Sequence, residues 1–443
     1  MIPQTAAQAQ INAILDGFAS RSLKEIVLGL ERITEALARL GNPHTKLPPV
    51  IHVAGTNGKG STIAYMRSIL EAAGLRVHVF TSPHLVKFNE RIVLGGKDID
   101  DELLASLLSR CESAAGDLPL SYFEAVTAAA FLAFAEVPGD VVLLETGLGG
   151  RLDSTNVVDR PRAAVITPVA MDHQAWLGDS LPQIAGEKAG ILKADAAFVT
   201  GTQRADALDV LKSKALGIGS TPFVLNEDWT ARVENGRLVY EDETGLLDLS
   251  PPRMVGRHQL DNAALAVAAL KAAGLAPKHE VISQGIEAAF WPARMQRLTE
   301  GPLVEQAERH SGDPAELWLD GGHNPHAAQA LARAVADLEE RSPKPLILIT
   351  GMQANKDAMG FFEAFEGLAS TIFTVDVPGG KPQSGYALAR LAQEAGVPAE
   401  AMPSVSKAID QALVDTGRSG EGMPRILICG SLYLAGQVLE ENQ

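Results

Sequence analysis

Between residues 23 and 40, apolar side chains recur every three to four positions: Leu23, Ile26, Val27, Leu30, Ile33, Leu37 and Leu40. This spacing predicts an amphipathic helix, closed by Gly41, Asn42 and Pro43, with Gly29 marking where a loop becomes helix. The pattern then changes to short, continuous apolar runs. Val50–Ala54 reads as a strand, followed by a glycine-rich turn, a helix over about 61–73 stopped by Gly74, and a strand at 77–81. Val141–Glu145 and 163–167 are further strand-like runs, each leading into polar or glycine-rich sequence. Strands that alternate with helices predict an α/β fold with a parallel sheet, whose binding groups lie at the carboxyl ends of the strands.

The rhythm restarts near Met295. A strand at 317–320 leads to a helix at 325–340 with Ala328, Leu331, Val335 and Leu338 on one face; Leu346–Thr350, 371–375 and Arg425–Cys429 follow as strands. The expectation is a P-loop-type α/β domain over 1–293 and a smaller Rossmann-like α/β domain over 294–443. The stretch 290–296 (FWPARMQ) reads as the linker, because Pro292 breaks the preceding helix. The polar stretch at about 305–315 reads as a surface insertion. No internal repeat is evident.

Composition narrows the class. A chain of 443 residues is too long for one ordinary core, which agrees with two domains. The net charge of −16 argues against broad binding to nucleic acid or to an anionic membrane. An acidic chain that binds a nucleotide then needs metal ions, backbone N–H groups and a few placed cations. The two cysteines, Cys111 and Cys429, are far apart, which excludes a disulfide framework or a thiolate zinc site and suits a reducing compartment. The apolar runs are far too short to span a membrane, and MIPQTAAQAQ has neither a basic nor an apolar leader region. The expectation is a cytoplasmic protein.

The strongest local signal is Gly55-Thr56-Asn57-Gly58-Lys59-Gly60-Ser61, set between a strand and a helix. Glycines there let backbone N–H groups approach phosphate oxygens, and the helix N-terminus adds a favourable dipole. Lys59 would reach the β/γ-phosphates, with Ser61 or Thr62 at the helix start. Gly60 stands between lysine and hydroxyl, a departure from GxxxxGK[ST]. Glu145, at the end of an apolar strand, is the acidic partner such a site needs for magnesium, a hard cation that prefers oxygen. Without the glycine loop, a solvent-exposed acid at a strand end would be the plainer reading.

HVAGTNGKGS resembles the nucleotide loop of the Mur ligase superfamily, and its Lys-Gly-Ser ending looks like the folylpolyglutamate synthase branch. Further matches follow in order: SPHL at 82–85, ERI at 90–92, YFE at 122–124, LLETGLGGRLDSTN at 143–156, DH at 172–173, GEKAGI at 186–191, HQLDNAALA at 258–266, PARMQ at 292–296, DGGHNPHA at 320–327 and CGS at 429–431. The resemblance spans both expected domains. It implies two magnesium ions held by Ser82, Glu145, His173 and a carbamylated Lys188, and ATP contacts from Asn262, Arg294 and Asp320 as well as the loop. Lys188 would otherwise read as an ordinary helix lysine, and His173 as a core or surface histidine. Arg294 could close on the phosphates or form an interdomain salt bridge; His323 could contact the nucleotide or cap a helix. Ile26, Val27, Leu28, Gly29, Ser121, Tyr122, Phe123, Glu124, Leu152, Asp153 and Ser154 match segments around the pterin substrate. Tyr122 and Phe123 could stack on a flat ring or pack in a core, and Asp153 could pair with pterin nitrogens.

The activity implied is ATP-dependent addition of L-glutamate to dihydropteroate, and to tetrahydrofolate and its polyglutamates, through an acyl phosphate, by a monomer. A monofunctional folylpolyglutamate synthase shares the ATP motifs, and a Mur-type cell-wall ligase shares that chemistry, but the KGS, YFE and GLGGRLD strings favour folate over the cell wall. A P-loop protein that uses ATP as a conformational switch is the rival from another class.

Overall fold

A computed structural model of the chain describes residues 5–21, 28–308, 315–419 and 422–443. They form two compact units, Met1–Arg253 with Asp261–Ala289, and Met254–Leu260 with Phe290–Gln443. The expected linker, 290–296, opens the continuous part of the second unit.

The first unit is built on an eight-stranded sheet. Its strands are β1 (Val50–Ala54), β2 (Val77–Phe80), β3 (Ile92–Leu94), β4 (Lys97–Asp98), β5 (Val141–Glu145), β6 (Ala163–Ile166), β7 (Ala197–Thr200) and β8 (Thr221–Val224). Their order is β4-β3-β2-β5-β1-β6-β7-β8. β1, β2, β5 and β6 are buried along their whole length, as continuous apolar runs in a covered parallel sheet should be. The sheet is not wholly parallel, as expected from the sequence: β3 and β4 pair antiparallel at one edge.

Register decides what meets at the strand ends. Val53 pairs with Glu145 and Ala54 with Ile166, so Gly55, Glu145 and Thr167 reach one end of the sheet together. The chain passes from β1 to β2, returns to β5 between them, then crosses to β6 on the other side. That reversal opens a crevice at the carboxyl end of β1.

Five helices matter to the site: α1 (Ala6–Arg21), α2 (Glu31–Arg39), α3 (Lys59–Ala72), α4 (Asp101–Ala115) and α5 (Tyr122–Glu136). The helix expected from residue 23 is described only as α2, which buries Ile33, Ala36 and Leu37. Its stop signals hold, with Gly41 and Asn42 both at positive φ (81° and 53°). α5 is apolar almost all round and lies in the core with α1, α2 and α4. The helix His279–Ala288 braces α3 at Gly285, where any Cβ would collide with the Ile69 backbone.

A three-stranded antiparallel sheet, β9 (Trp229–Glu234), β10 (Arg237–Asp242) and β11 (Gly245–Leu249), was not expected. Its signal was present: Asn235-Gly236 lies between alternating apolar residues, and both residues take positive φ (51° and 76°), as a tight hairpin turn requires.

The second unit carries six strands, β12 (Gln296–Leu298), β13 (Glu316–Leu319), β14 (Leu346–Thr350), β15 (Thr371–Thr374), β16 (Ala399–Ala401) and β17 (Arg425–Cys429), in the order β12-β13-β17-β14-β15-β16. β12 is antiparallel and the rest are parallel. The stretch read as a surface insertion begins instead inside a helix, Pro302–Glu308, which buries Leu303, Val304 and Ala307. No helix of the described residues is long and apolar enough to cross a membrane.

Arg425, 1% exposed, ties this unit's first crossing together by donating to Glu316 (2.9 Å), Glu339 (3.3 Å) and the Ser342 carbonyl (3.0 Å). Removing the cation strands a largely buried carboxylate on Glu316. Arg425→Met should therefore lower stability by about 3 kcal/mol, measured by urea unfolding.

Candidate active site

The loop after β1 is shaped by two glycines. Gly55 (φ 150°) lies so close to Thr167 that a Cβ would overlap its hydroxyl, and Gly58 (φ 88°) starts α3 against the Asn262 side chain. Asn262 counts with the first unit, and its contact with Gly58 brings it to the loop. The first intrahelical bond is Thr62 N–H to the Gly58 carbonyl (2.9 Å), so the Lys59 and Gly60 amides open the helix toward the loop. The Thr56 and Asn57 amides instead donate to the Pro168 carbonyl (3.0 and 3.4 Å), which fixes the loop to the end of β6.

Two lysines converge on one oxygen. Lys59 Nζ lies 3.3 Å from the Gly55 carbonyl and Lys188 Nζ lies 2.9 Å from it. Lys59 also donates to the Thr56 carbonyl (3.3 Å) and faces Glu145 Oε1 at 3.8 Å. Glu145 is 5% exposed, and its other oxygen accepts the Ser82 N–H (3.2 Å). Lys188 is 4% exposed, and burial, then the nearby Lys59 cation, bring its pKa down to about 7. The neighbouring Asp172 carboxylate opposes that fall. His173 follows Asp172 at φ 54°, a left-handed conformation, with its ring 6.1 Å from Trp176. The geometry therefore gathers Gly55, Lys59, Ser82, Glu145 and Lys188, with Asp172 close enough to act on Lys188.

Glycines also place Lys188. At Gly150 a Cβ would press on the Glu187 and Lys188 carbonyls, and at Gly190 it would collide with the Arg151 backbone. Arg151 N–H donates to the Glu187 carbonyl (2.8 Å), and the Arg151 guanidinium pairs with the Glu187 carboxylate (2.9 Å). The GLGGRLDSTN loop and the GEKAGI turn thus dock backbone to backbone.

For a divalent cation the gathered set offers one buried carboxylate, Glu145, beside Ser82. Among the described residues, no three His, Cys, Asp or Glu side chains cluster as a metal site. A hard cation fits this set through Glu145, and better if Lys188 carries an oxygen donor.

The expected pterin contacts divide. Ile26 and Val27 lie outside the described residues, and Leu28 and Gly29 are half-buried. Ser121 and Glu124 form a reciprocal cap on α5, and Glu124 also pairs with Arg32 (3.0 Å), so both are occupied in holding structure. Tyr122 packs edge-on to Phe88 and under the Arg91 guanidinium, while Phe123 packs on Phe80 and over Gly147. Both rings are half-buried, so core packing and an open face coexist. Asp153 is the most heavily bonded of these residues. Its Oδ2 accepts the Gly147 and Leu148 amides (2.9 and 2.8 Å), and its Oδ1 accepts the Thr155 amide and hydroxyl (3.0 and 2.5 Å). Four donors meet this carboxylate, so Asp153 organises its own loop. Leu152 is half-buried, and the buried Ser154 hydroxyl lies 3.0 Å from that of Thr127.

In the second unit, Asp320 accepts the Met295 amide (2.7 Å) and the Gly322 amide (2.7 Å), joining the PARM turn to the DGGH loop. Arg294 stands between two non-glycine residues at positive φ, Ala293 (54°) and Met295 (41°), and donates to the Ala293 carbonyl (2.8 Å). His323 does not cap the following helix: Asn324 does, accepting the Ala327 amide (2.9 Å), while His323 Nδ1 lies 3.1 Å from the Gly321 carbonyl.

Sequence reasoning passed over His52. It sits inside the apolar run of β1, fully buried, with Nε2 2.9 Å from the Thr155 hydroxyl. A histidine within a covered strand was itself the signal.

Comparison with known proteins follows the same lines. Residues 305–432 match the family model described as Mur ligase, glutamate ligase domain. The dihydrofolate synthase/folylpolyglutamate synthase of Escherichia coli (strain K12) is 34% identical over 419 residues, covering 94% of this chain and 92% of its own. The structure of E. coli FolC in complex with DHPP and ADP aligns with a TM-score of 0.86 at 33% identity, covering 99% of this chain and 98% of its own. A bifunctional folylpolyglutamate synthase/dihydrofolate synthase with Mn, AMPPNP and L-glutamate bound aligns with a TM-score of 0.82 at 31% identity, covering 99% of each chain.

Burial holds the His52 pKa down at about 3, against 6.5 for an ordinary histidine. Between these values the unfolded chain binds a proton that the folded chain refuses, so stability is lost as pH falls from 6.5 toward 3. Between pH 7 and 4.5, wild type should lose about 2 kcal/mol more than His52→Gln, read from urea midpoints.

Proposed function

The chain belongs to the dihydrofolate synthase/folylpolyglutamate synthase family of carbon–nitrogen ligases, and from that premise we propose that one site adds L-glutamate to dihydropteroate and to tetrahydrofolate polyglutamates. The observation that carries this reading is the convergence of Lys59 and Lys188 on the Gly55 carbonyl, beside buried Glu145. Lys59 supplies the positive charge and Glu145 the metal-ready carboxylate that phosphoryl transfer from ATP demands. A carboxylate does not condense with an amine in water unaided. Here the acid's carboxylate oxygen attacks the γ-phosphorus of ATP, the bond to the β,γ-bridging oxygen breaks, and an acyl phosphate and ADP form. The glutamate amine then attacks the acyl carbon and loses a proton, and phosphate leaves with the C–O electron pair.

The chain's own part is holding and neutralising. The Lys59 and Gly60 amides and the Lys59 ammonium receive the β- and γ-phosphates, with Asn262 steadying the loop at Gly58. Ser82, Glu145, His173 and modified Lys188 would hold two magnesium ions, which would offset the charge of the transferred phosphate. Arg294, Asp320 and His323 are the second unit's own candidates for nucleotide contacts. Tyr122, Phe123 and the loop 152–154 border the pterin acid. Gathering three reactants is worth on the order of 7–11 kcal/mol of the barrier. In this reading the enzyme works as a cytoplasmic monomer.

The test is ADP release by purified protein, assayed separately with dihydropteroate and with a tetrahydrofolate carrying glutamate, at saturating ATP, magnesium and glutamate. Both acceptors should support turnover, and release without an acceptor would return the chain to the conformational-switch class. Activity on the folylglutamate alone would reduce it to a single-function synthase. Lys59→Ala and Glu145→Gln should remove both activities with circular dichroism unchanged, whereas Phe123→Leu should change their ratio.

Lys188 supplies a second test. Its buried amine, held near neutrality, can attack carbon dioxide, forming an N–C bond and losing a proton to give a carbamate. With 13C-labelled carbon dioxide, wild type should give a carbamate carbon resonance that Lys188→Ala lacks. Lys188→Ala should be nearly inactive and partly rescued by acetate.

A further inference from the structure

The buried chain from His52 through Thr155 to Asp153 has a direction that hydrogen-bond chemistry fixes. Asp153 Oδ1 accepts the Thr155 amide, and both Asp153 oxygens are occupied by backbone donors, so the ionised carboxylate acts as acceptor only, although burial pushes its pKa up. The single Thr155 hydroxyl proton therefore goes to Asp153 Oδ1, at 2.5 Å. That leaves the Thr155 oxygen only lone pairs for its second neighbour, His52 Nε2, at 2.9 Å. His52 must be the donor, protonated on Nε2, and its buried Nδ1 has no hydrogen-bond partner. Such an orphaned atom is costly in an apolar strand, where an aliphatic residue would pack without penalty. The position is explained by what the Nε2 proton does.

We infer that His52 is a positioning residue, which through Thr155 holds the Asp153-centred loop in register with the phosphate loop that begins three residues after it on the same strand. Asp153 gathers the Gly147, Leu148 and Thr155 amides, and so sets the shape of the loop that borders the acid substrate. The same loop presses Gly150 against the Glu187 and Lys188 carbonyls, so its position also bears on Lys188. His52 is fully buried and reaches the site through Thr155. It joins the acceptor loop to β1, whose other task is to deliver Gly55, so the carboxylate to be activated and the phosphate to be transferred share one rigid reference. The kinetic part of this inference rests on the ligase reading above; the structural part does not.

The test uses full-length His52→Leu and Thr155→Val, with Thr155→Ser as the conservative variant, and two independent readouts. In hydrogen exchange, the Gly147, Leu148 and Thr155 amides should exchange about tenfold faster in His52→Leu and Thr155→Val, with the Thr56 amide unchanged and Thr155→Ser like wild type. In steady-state assays, both breaking variants should raise KM for the pterin acceptor about fivefold to tenfold, leave KM for ATP within twofold, and leave Thr155→Ser near wild type. Unchanged protection of the three amides overturns the inference, as does an equal rise in both KM values. If wild type shows no acceptor-dependent ADP release, the ligase reading fails, while the exchange result still decides whether His52 holds the loop. Should His52→Leu fail to fold, Thr155→Val breaks the same chain one link further on and answers alone.

Discussion

Two lysine nitrogens share the carbonyl oxygen of Gly55, and that oxygen is available to both because residue 55 has no side chain. The strand end is packed so tightly against Thr167 that even a methyl group would displace it. Lys59 comes from the helix that follows, and Lys188 from a turn more than a hundred residues later. Burial, with their mutual repulsion added, keeps Lys188 near neutrality. A cation and a poised amine can then coexist within reach of one buried carboxylate. Were the glycine to shift, both lysines would lose their common anchor, and Glu145 would lose the charge that faces it at 3.8 Å.

The remaining architecture holds that meeting point. Parallel pairing of β1 with β5 and β6 brings Gly55, Glu145 and Thr167 to the same level. Close backbone contacts at Gly150 and Gly190 press one loop onto the next, so the position of Lys188 depends on glycines rather than on any long side chain. Helix α3, braced at Gly285, carries Lys59 on its first turn. Polar groups in this region point inward and are mostly spent on one another. Asp153 and Glu124 hold backbone amides in place here, as Asp320 does within the second unit.

That inward spending explains what could and could not be read from the sequence. Strands such as Val50–Ala54, Val141–Glu145 and Leu346–Thr350 were legible to the residue, because a strand covered on both faces must be apolar throughout. The glycine-rich turn between β1 and α3 was legible because glycine, lysine and a helix start leave few other backbone paths in that order. Asp153 was not, since its four bonds come from neighbours whose fold the string does not display, and a carboxylate reads the same full or empty. His323 and Asn324 are adjacent, and only the backbone geometry separates the capping residue from its neighbour. His52 and Thr155 stand 103 positions apart, a distance at which pattern carries no information about contact. The Asn-Gly hairpin at 235–236 was legible in principle, its turn chemistry being local.

Arg294 sits between two residues, Ala293 and Met295, whose left-handed backbones would suit glycine better. Each position carries a cost of about 1 kcal/mol that its own side chain creates. For protein engineering this inverts the usual expectation about which substitutions are harmful. Glycine at 293 would relieve strain while giving the arginine a wider range of directions, whereas at 295 it would also empty a core position at greater cost. A variant library ranked by heat resistance alone would therefore be blind to how this arginine is aimed.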